Sequence, residues 1–137
     1  MSMKLTPYLN FAGNAEEVLN FYAAALGGEI VMLSRYGDAP MPCGDDEKNN
    51  IMHARLVFGD NMIMISDKPK SYPHNTDGNI TLSIGTEDVE ETEKVFHNLA
   101  EGGNVLMPLA DQFWGARFGM LKDKYGVSWM VNCEFKK

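Results

Sequence analysis

The feature that most restricts the folds open to this chain is an internal repeat. Phe21 through Ala25, Gly27-Gly28 and Ile30-Val31-Met32 are answered by Phe96, Ala100, Gly102-Gly103 and Val105-Leu106-Met107, about 75 residues later. Such a spacing is longer than a solenoid repeat and suits two copies of a small supersecondary unit. Further along, His53-Ala54-Arg55-Leu56 is matched to Gly115-Ala116-Arg117-Phe118, which gives Arg55 and Arg117 equivalent places in the two copies. Within 137 residues neither copy can bury a sheet alone, so the copies are expected to pack around a shared concave interior of the kind ligands favour.

Periodicity within each copy supplies the elements. Lys4 to Ala12 alternates as a strand, with Pro7 near its beginning. A helix follows, opened by a capping-box pair Asn14 and Glu17, carrying the stripe Val18, Phe21, Tyr22, Ala25 and Leu26, and closed by Gly27-Gly28. Strands are expected at Glu29 to Tyr36, Ile51 to Phe58 and Met62 to Ser66, with the acidic, Gly- and Pro-bearing stretch from Gly37 to Asn50 read as a surface loop or a lid. Asp67 onward has linker composition, so the modules span about residues 4–67 and 79–134, joined by a linker at 68–78, in a single domain.

The second copy repeats the order. Asn79 to Ile84 is a strand, and Asp88 with Glu91 caps a helix whose stripe is Val89, Thr92, Phe96 and Leu99. Gly102-Gly103 ends that helix, Asn104 to Gln112 is a strand, and Phe113 to Asn132 forms a hairpin turning at Lys122-Asp123-Lys124-Tyr125-Gly126. Strand, helix and three strands, twice over, make an α+β protein: two βαβββ modules in tandem forming a curved mixed-sheet half-barrel cleft.

Charge narrows the partners. Lys and Arg number 12 against 19 Asp and Glu, a net charge of −7 that would repel phosphates, so neither nucleic acid nor an anionic membrane is expected as a partner. No signal-like start and no apolar run of about 20 residues are present, which makes the cytoplasm the expected location. Cys43 and Cys133 lack any metal-type spacing and read as unpaired thiols, with a disulfide or a reactive thiol as the alternatives.

Several motifs carry a resemblance. Asn20-Phe21-Tyr22 closing on Leu26-Gly27-Gly28, and Asp123-Lys124-Tyr125-Gly126-Val127 before the last strand, resemble the vicinal-oxygen-chelate superfamily, which includes glyoxalase I, bleomycin-resistance proteins and extradiol dioxygenases. Leu5-Thr6-Pro7-Tyr8-Leu9, Met64-Ile65-Ser66-Asp67, Phe113-Trp114-Gly115-Ala116-Arg117-Phe118-Gly119 and Trp129-Met130-Val131-Asn132 resemble its PhnB-like subgroup. The likeness covers nearly the whole chain and implies the glyoxalase/bleomycin-resistance fold and a homodimer.

It also implies where a metal would sit. Metal-dependent members hold a divalent ion with His or Gln on the first strand and Glu on the last strand of each module. The flanking motifs place Thr6 or Pro7, Met64, Asn79 and Met130 at those positions, none of them a His or a carboxylate. No cofactor is therefore expected, and a divalent metal on non-standard ligands is the alternative.

Candidate site residues follow. His53 is the one histidine inside a predicted strand; it is a core-rim hydrogen-bonding residue, a ligand contact or weak acid/base candidate, or a metal ligand. His74 falls in the linker and His97 on the second helix. Arg55 and Arg117 either pair with nearby carboxylates or anchor an anionic ligand group. Phe113, Trp114, Phe118 and Trp129 are core residues or cleft walls, and four aromatics on one hairpin exceed what a small core needs. The ten methionines suit a soft core or an adaptable apolar pocket. The expected function is binding of a small molecule in an apolar aromatic cleft without the usual metal. The alternative is a metal-dependent lyase, isomerase or dioxygenase. The methyltransferase label borne by some similar sequences finds no glycine-rich strand-to-helix turn to support it.

Overall fold

A computed structural model describes residues 6–39, 43–68 and 80–135. The chain divides into two compact units, Met1–His74 and Asn75–Lys137.

In the first unit, β1 (Tyr8–Phe11) leads through Gly13 into α1 (Ala15–Leu26), followed by β2 (Glu29–Arg35), β3 (Ile51–Phe58) and β4 (Asn61–Asp67). The sheet order is β1-β4-β3-β2, with β1 parallel to β4 and the other pairs antiparallel. Alternation sends Phe11, Ala54, Leu56, Ile63 and Ile65 to one face, where they are buried with Ala15, Val18, Leu19 and Tyr22 of α1. Leu19 belongs to the buried stripe and was not predicted there, while Phe21 and Leu26 are only half-buried. Gly27, at φ 65°, takes the left-handed conformation that stops the helix.

The helix start differs from the capping box expected at Asn14, whose side chain makes no capping hydrogen bond. The acceptor comes instead from the end of β4, opposite Phe11. Asp67, 1% exposed, takes hydrogen bonds from the backbone N–H groups of Gly13 (2.8 Å), Ala15 (2.9 Å) and Ile51 (2.9 Å). Its own carbonyl accepts from the Tyr36 hydroxyl at 2.7 Å. Asp67, read from composition as the start of a linker, is thus the tie between β4, α1 and β3. The remainder of the linker from residue 69, Asn79 and the strand ends before residue 6 lie outside the described residues, as does His74.

The expected loop from Gly37 holds two short 3₁₀ turns, Tyr36–Asp38 and Asp45–Glu47. Its ends are closed by Tyr36 N–H to the Asn50 carbonyl at 3.1 Å and Gly37 N–H to the Lys48 carbonyl at 2.9 Å.

The second unit repeats the plan with β5 (Leu82–Thr86), α2 (Val89–Ala100), β6 (Asn104–Gln112), β7 (Ala116–Lys122) and β8 (Ser128–Glu134), in the order β5-β8-β7-β6. Here the predicted cap forms: the Asp88 carboxylate accepts from Glu91 N–H at 3.1 Å. Thr92, Phe96 and Leu99 are buried, but Val89 in the first turn is exposed. Gly119 lets α2 approach β7, since a Cβ there would stand 2.7 Å from Phe96 Cε2. Pro108 is accommodated in β6, an edge strand whose register shifts between Met107 and Ala110. The hairpin turns where expected, held by Asp123, which accepts from Tyr125 N–H, Val127 N–H and the Trp129 indole N–H at 2.9, 3.0 and 2.8 Å. Phe113, Trp114 and Gly115 form the β6–β7 turn and are not part of a strand. Cys43 and Cys133 are both free thiols.

Candidate functional site

Each sheet has one face covered by its helix and one that is not. Strand register shows what the uncovered faces carry. In the first unit, Tyr8 pairs with Met64, Met64 with Arg55 and Arg55 with Met32, so these four form one row across β1, β4, β3 and β2. In the second unit the corresponding row is Ser83, Met130, Met120 and Met107. Tyr8 and Ser83, Met64 and Met130, and Met32 and Met107 are therefore equivalent, and so are Arg55 and Met120.

That register corrects the pairing of Arg55 with Arg117. Ala54 stands opposite Ile65 as Gly119 stands opposite Val131, so the counterpart of Ala54 is Gly119 and the motif match was displaced by three residues. An odd displacement changes the face of the sheet. Arg117 sits beside Cys133 on the helix side, and its guanidinium donates to Glu93 of α2 through Nε at 2.8 Å and through Nη2, and to Asp111 at 2.9 Å. The Arg117 hydrogen bond, helped by His97, holds the Glu93 carboxyl below the ordinary glutamate range, and the two carboxylates raise Arg117 in return. Arg35 and Glu16 make the same exchange in the first unit, at 2.7 Å.

The predicted site residues sort accordingly. His53 and Arg55 come together on the helix-free face of the first unit and gain a partner the sequence reading had not singled out, Tyr8. Arg55 Nε donates to His53 Nε2 at 3.2 Å, and His53 Nδ1 meets the Tyr8 hydroxyl at 3.0 Å, the two rings tilted with centroids 5.6 Å apart. Tyr8 is 44% exposed. Nothing in the periodicity of Tyr8 distinguishes it, because the contact reaches from β1 across β4 to β3.

In the second unit Phe113, Trp114 and Phe118 form an edge-to-face chain with centroids 5.1 and 5.9 Å apart. Phe113 is 98% and Trp114 53% exposed, whereas Phe118 lies half-buried beside Asn132 and Ala110. Trp129 departs from this group: it is 1% exposed on the helix side and bonded to Asp123. At the end of β5 and β8 a recess of about 370 Å³ is lined by Gly85, Thr86, Glu87, Asn132, Glu134 and Phe135.

The positions implied for a metal do not fit one. Met64 and Met130 are on the helix-free faces, and their neighbours on the first strand of each unit are Tyr8 and Ser83, while Thr6 and Pro7 precede β1. Thioethers and hydroxyls are poor donors for Zn, Ni, Mn or Fe(II). Among the described residues no group of three or more His, Cys, Asp or Glu side chains gathers to hold an ion.

Two βαβββ units with this strand order define a protein of the glyoxalase/bleomycin-resistance/dioxygenase fold. A domain of that description from Frankia superposes with a TM-score of 0.69 over 98% of both chains, at 15% identity, a likeness of fold alone. The chain belongs to the family described as 3-demethylubiquinone-9 3-methyltransferase, whose profile matches residues 3–132, and it is a PhnB-like member of the vicinal-oxygen-chelate superfamily. Protein PA1353 of Pseudomonas aeruginosa is 44% identical with a TM-score of 0.90, covering 98% of this chain and all of its own. A PhnB protein from Bacillus cereus is 36% identical with a TM-score of 0.80, over 96% of this chain and 99% of its own. Among the described residues no helix is long and apolar enough to cross a membrane.

Proposed function

We propose that this chain binds a small molecule on the helix-free face of one of its sheets, gripping it with methionine and aromatic side chains and holding no metal at the superfamily's usual positions. The observation that carries the reading is the pair of register-matched rows, Tyr8-Met64-Arg55-Met32 and Ser83-Met130-Met120-Met107. Unbranched thioether side chains on a surface that no helix covers give an adaptable apolar contact, and Trp114 with Phe118 extends it.

Methyl transfer, the activity in the family's description, is not part of this proposal. Each described sheet has a single parallel pair, β1 with β4 and β5 with β8, and lacks the successive parallel strand-helix units that place a cofactor at a strand's carboxyl end. The chain is further proposed to act as a homodimer, which light scattering on the purified protein tests.

The deciding experiment is metal analysis after purification without chelator, followed by thermal unfolding with Zn, Ni, Mn or Fe(II) and with a panel of small aromatic compounds. The expected result is a melting temperature raised by compounds and not by metals. A stoichiometric transition metal that stabilises the fold would overturn the reading in favour of a metal-dependent lyase, isomerase or dioxygenase.

A further inference from the structure

We infer that the helix-free face of the first unit recognises the oxyanion of an organic acid, through the free end of the Arg55 guanidinium and the Tyr8 hydroxyl, with His53 orienting both. This rests on the proposed binding function and narrows its ligand class.

The chain has three arginines, and two of them are committed to carboxylates: Arg35 to Glu16, and Arg117 to Glu93 and Asp111. Arg55 differs. Its Nε donates to an imidazole nitrogen, and among the described residues it makes no ion pair. In a protein of net charge −7, an exposed guanidinium with no carboxylate partner among the described residues stands apart from the other two. A guanidinium has no acceptor and keeps its charge, so with Nε turned to His53 the two terminal nitrogens present a fork of N–H donors suited to a carboxylate or a phosphate-type group.

The imidazole passes the same polarity to Tyr8. Because Arg55 can only donate, His53 Nε2 must accept, which puts the hydrogen of the neutral ring on Nδ1. Nδ1–H then donates to the Tyr8 oxygen, and the phenol keeps its own hydrogen for another acceptor. What the array offers outward is therefore donors, at the Arg55 fork and at the Tyr8 hydroxyl. A ligand with anionic oxygen matches them; a cation does not. Met32 and Met64 flank Arg55 in the same row, so the acid they suit has an apolar body. The second unit lacks the device, with Met120 at the place of Arg55 and Phe118 at that of His53.

The test titrates the full chain with benzoate, phenylphosphate, benzyl alcohol, benzylammonium and inorganic phosphate, following the His53 ring nitrogens and the Arg55 Nε–H by NMR. Benzoate or phenylphosphate is expected to bind at least about tenfold more tightly than benzyl alcohol and to shift both groups. Arg55→Met should abolish that advantage, and Tyr8→Phe should reduce it, with the melting temperature of both variants near the parent's. In the free protein His53 should show the Nδ1–H tautomer, and Arg55→Met should release it to a mixture. Carboxylate and phosphate sources are separated by which of the two aromatic anions binds. Benzyl alcohol or benzylammonium binding this face as tightly as the anions, inorganic phosphate matching phenylphosphate, or an anion affinity untouched by Arg55→Met would overturn the inference while leaving the binding function standing. Failure of every probe, charged or neutral, to shift any residue on either helix-free face would sink both.

Discussion

Replacing Asp67 by alanine should be among the most damaging single changes in the first unit. The carboxylate is 1% exposed and receives three backbone N–H groups, of which those of Ala15 and Ile51 are buried and that of Gly13 partly so. Each buried donor left without an acceptor costs about 1–3 kcal/mol, and two of them together give about 4 kcal/mol, with little added for Gly13. Against a total stability of about 5–15 kcal/mol that is a severe loss. Asp67→Asn should cost about half as much, because an amide oxygen can still serve Gly13 and Ala15 while its NH₂ group faces the Ile51 donor. The control is Asn14→Ala. A capping box would make it cost about 1 kcal/mol, but a side chain with no capping bond should leave stability nearly unchanged. Urea unfolding followed by far-UV circular dichroism at neutral pH, with the slope of free energy against urea held common, measures all three. An Asp67→Ala loss under about 1 kcal/mol, or an Asn14→Ala loss as large, would refute the reasoning.

Other predictions follow from single contacts. Gly119→Ala should destabilise by about 2 kcal/mol through collision with Phe96, and Phe96→Leu in the same chain should recover part of it, as a double-mutant cycle on urea midpoints would show. Trp114→Phe should leave a blue-shifted emission that iodide quenches poorly, from Trp129, whereas Trp129→Phe should leave a red-shifted, readily quenched one and lose about 1–2 kcal/mol with the bond to Asp123. Glu93 has a depressed carboxyl, so the unfolded chain binds its proton at higher pH than the folded one. Its contribution is complete above the ordinary glutamate value of about 4.3 and disappears as pH falls through the lower folded value. Glu93→Gln should therefore flatten the acid side of the stability profile, and an unchanged slope below pH 5 would contradict the pairing with Arg117.

Local pattern was enough for much of the architecture. The glycine pairs after Leu26 and Ala100, the 3.6-residue stripes before them and the polar turn at Lys122 to Gly126 act over a few residues, so both helices and the final hairpin could be located from order alone. The repeat also conveyed the α+β plan of two βαβββ modules. Strand edges were less legible: β5 begins at Leu82, leaving out Ile80 and Thr81, and Phe113 and Trp114 turn where a strand was expected, because apolar composition does not distinguish a strand from the turn beside it.

The site depended on register. Arg55 and Arg117 have matching neighbours in sequence, yet pairing across the sheet puts one beside Met64 and the other beside Cys133, on opposite faces. Trp129 and Phe118 lie on neighbouring strands of one hairpin and likewise divide between the helix side and the uncovered side. Tyr8 joined His53 and Arg55 only because β1 lies alongside β4, a pairing of residues more than fifty positions apart. Asp67, polar and followed by prolines, had the look of a linker until three distant N–H groups converged on it. Features that repeat every two or every 3.6 residues were legible along the chain, since that periodicity is a property of the local backbone. Which side chains share a face and a partner came from strand pairing, because a one-residue change in register, invisible in composition, moves a side chain from one face of a sheet to the other.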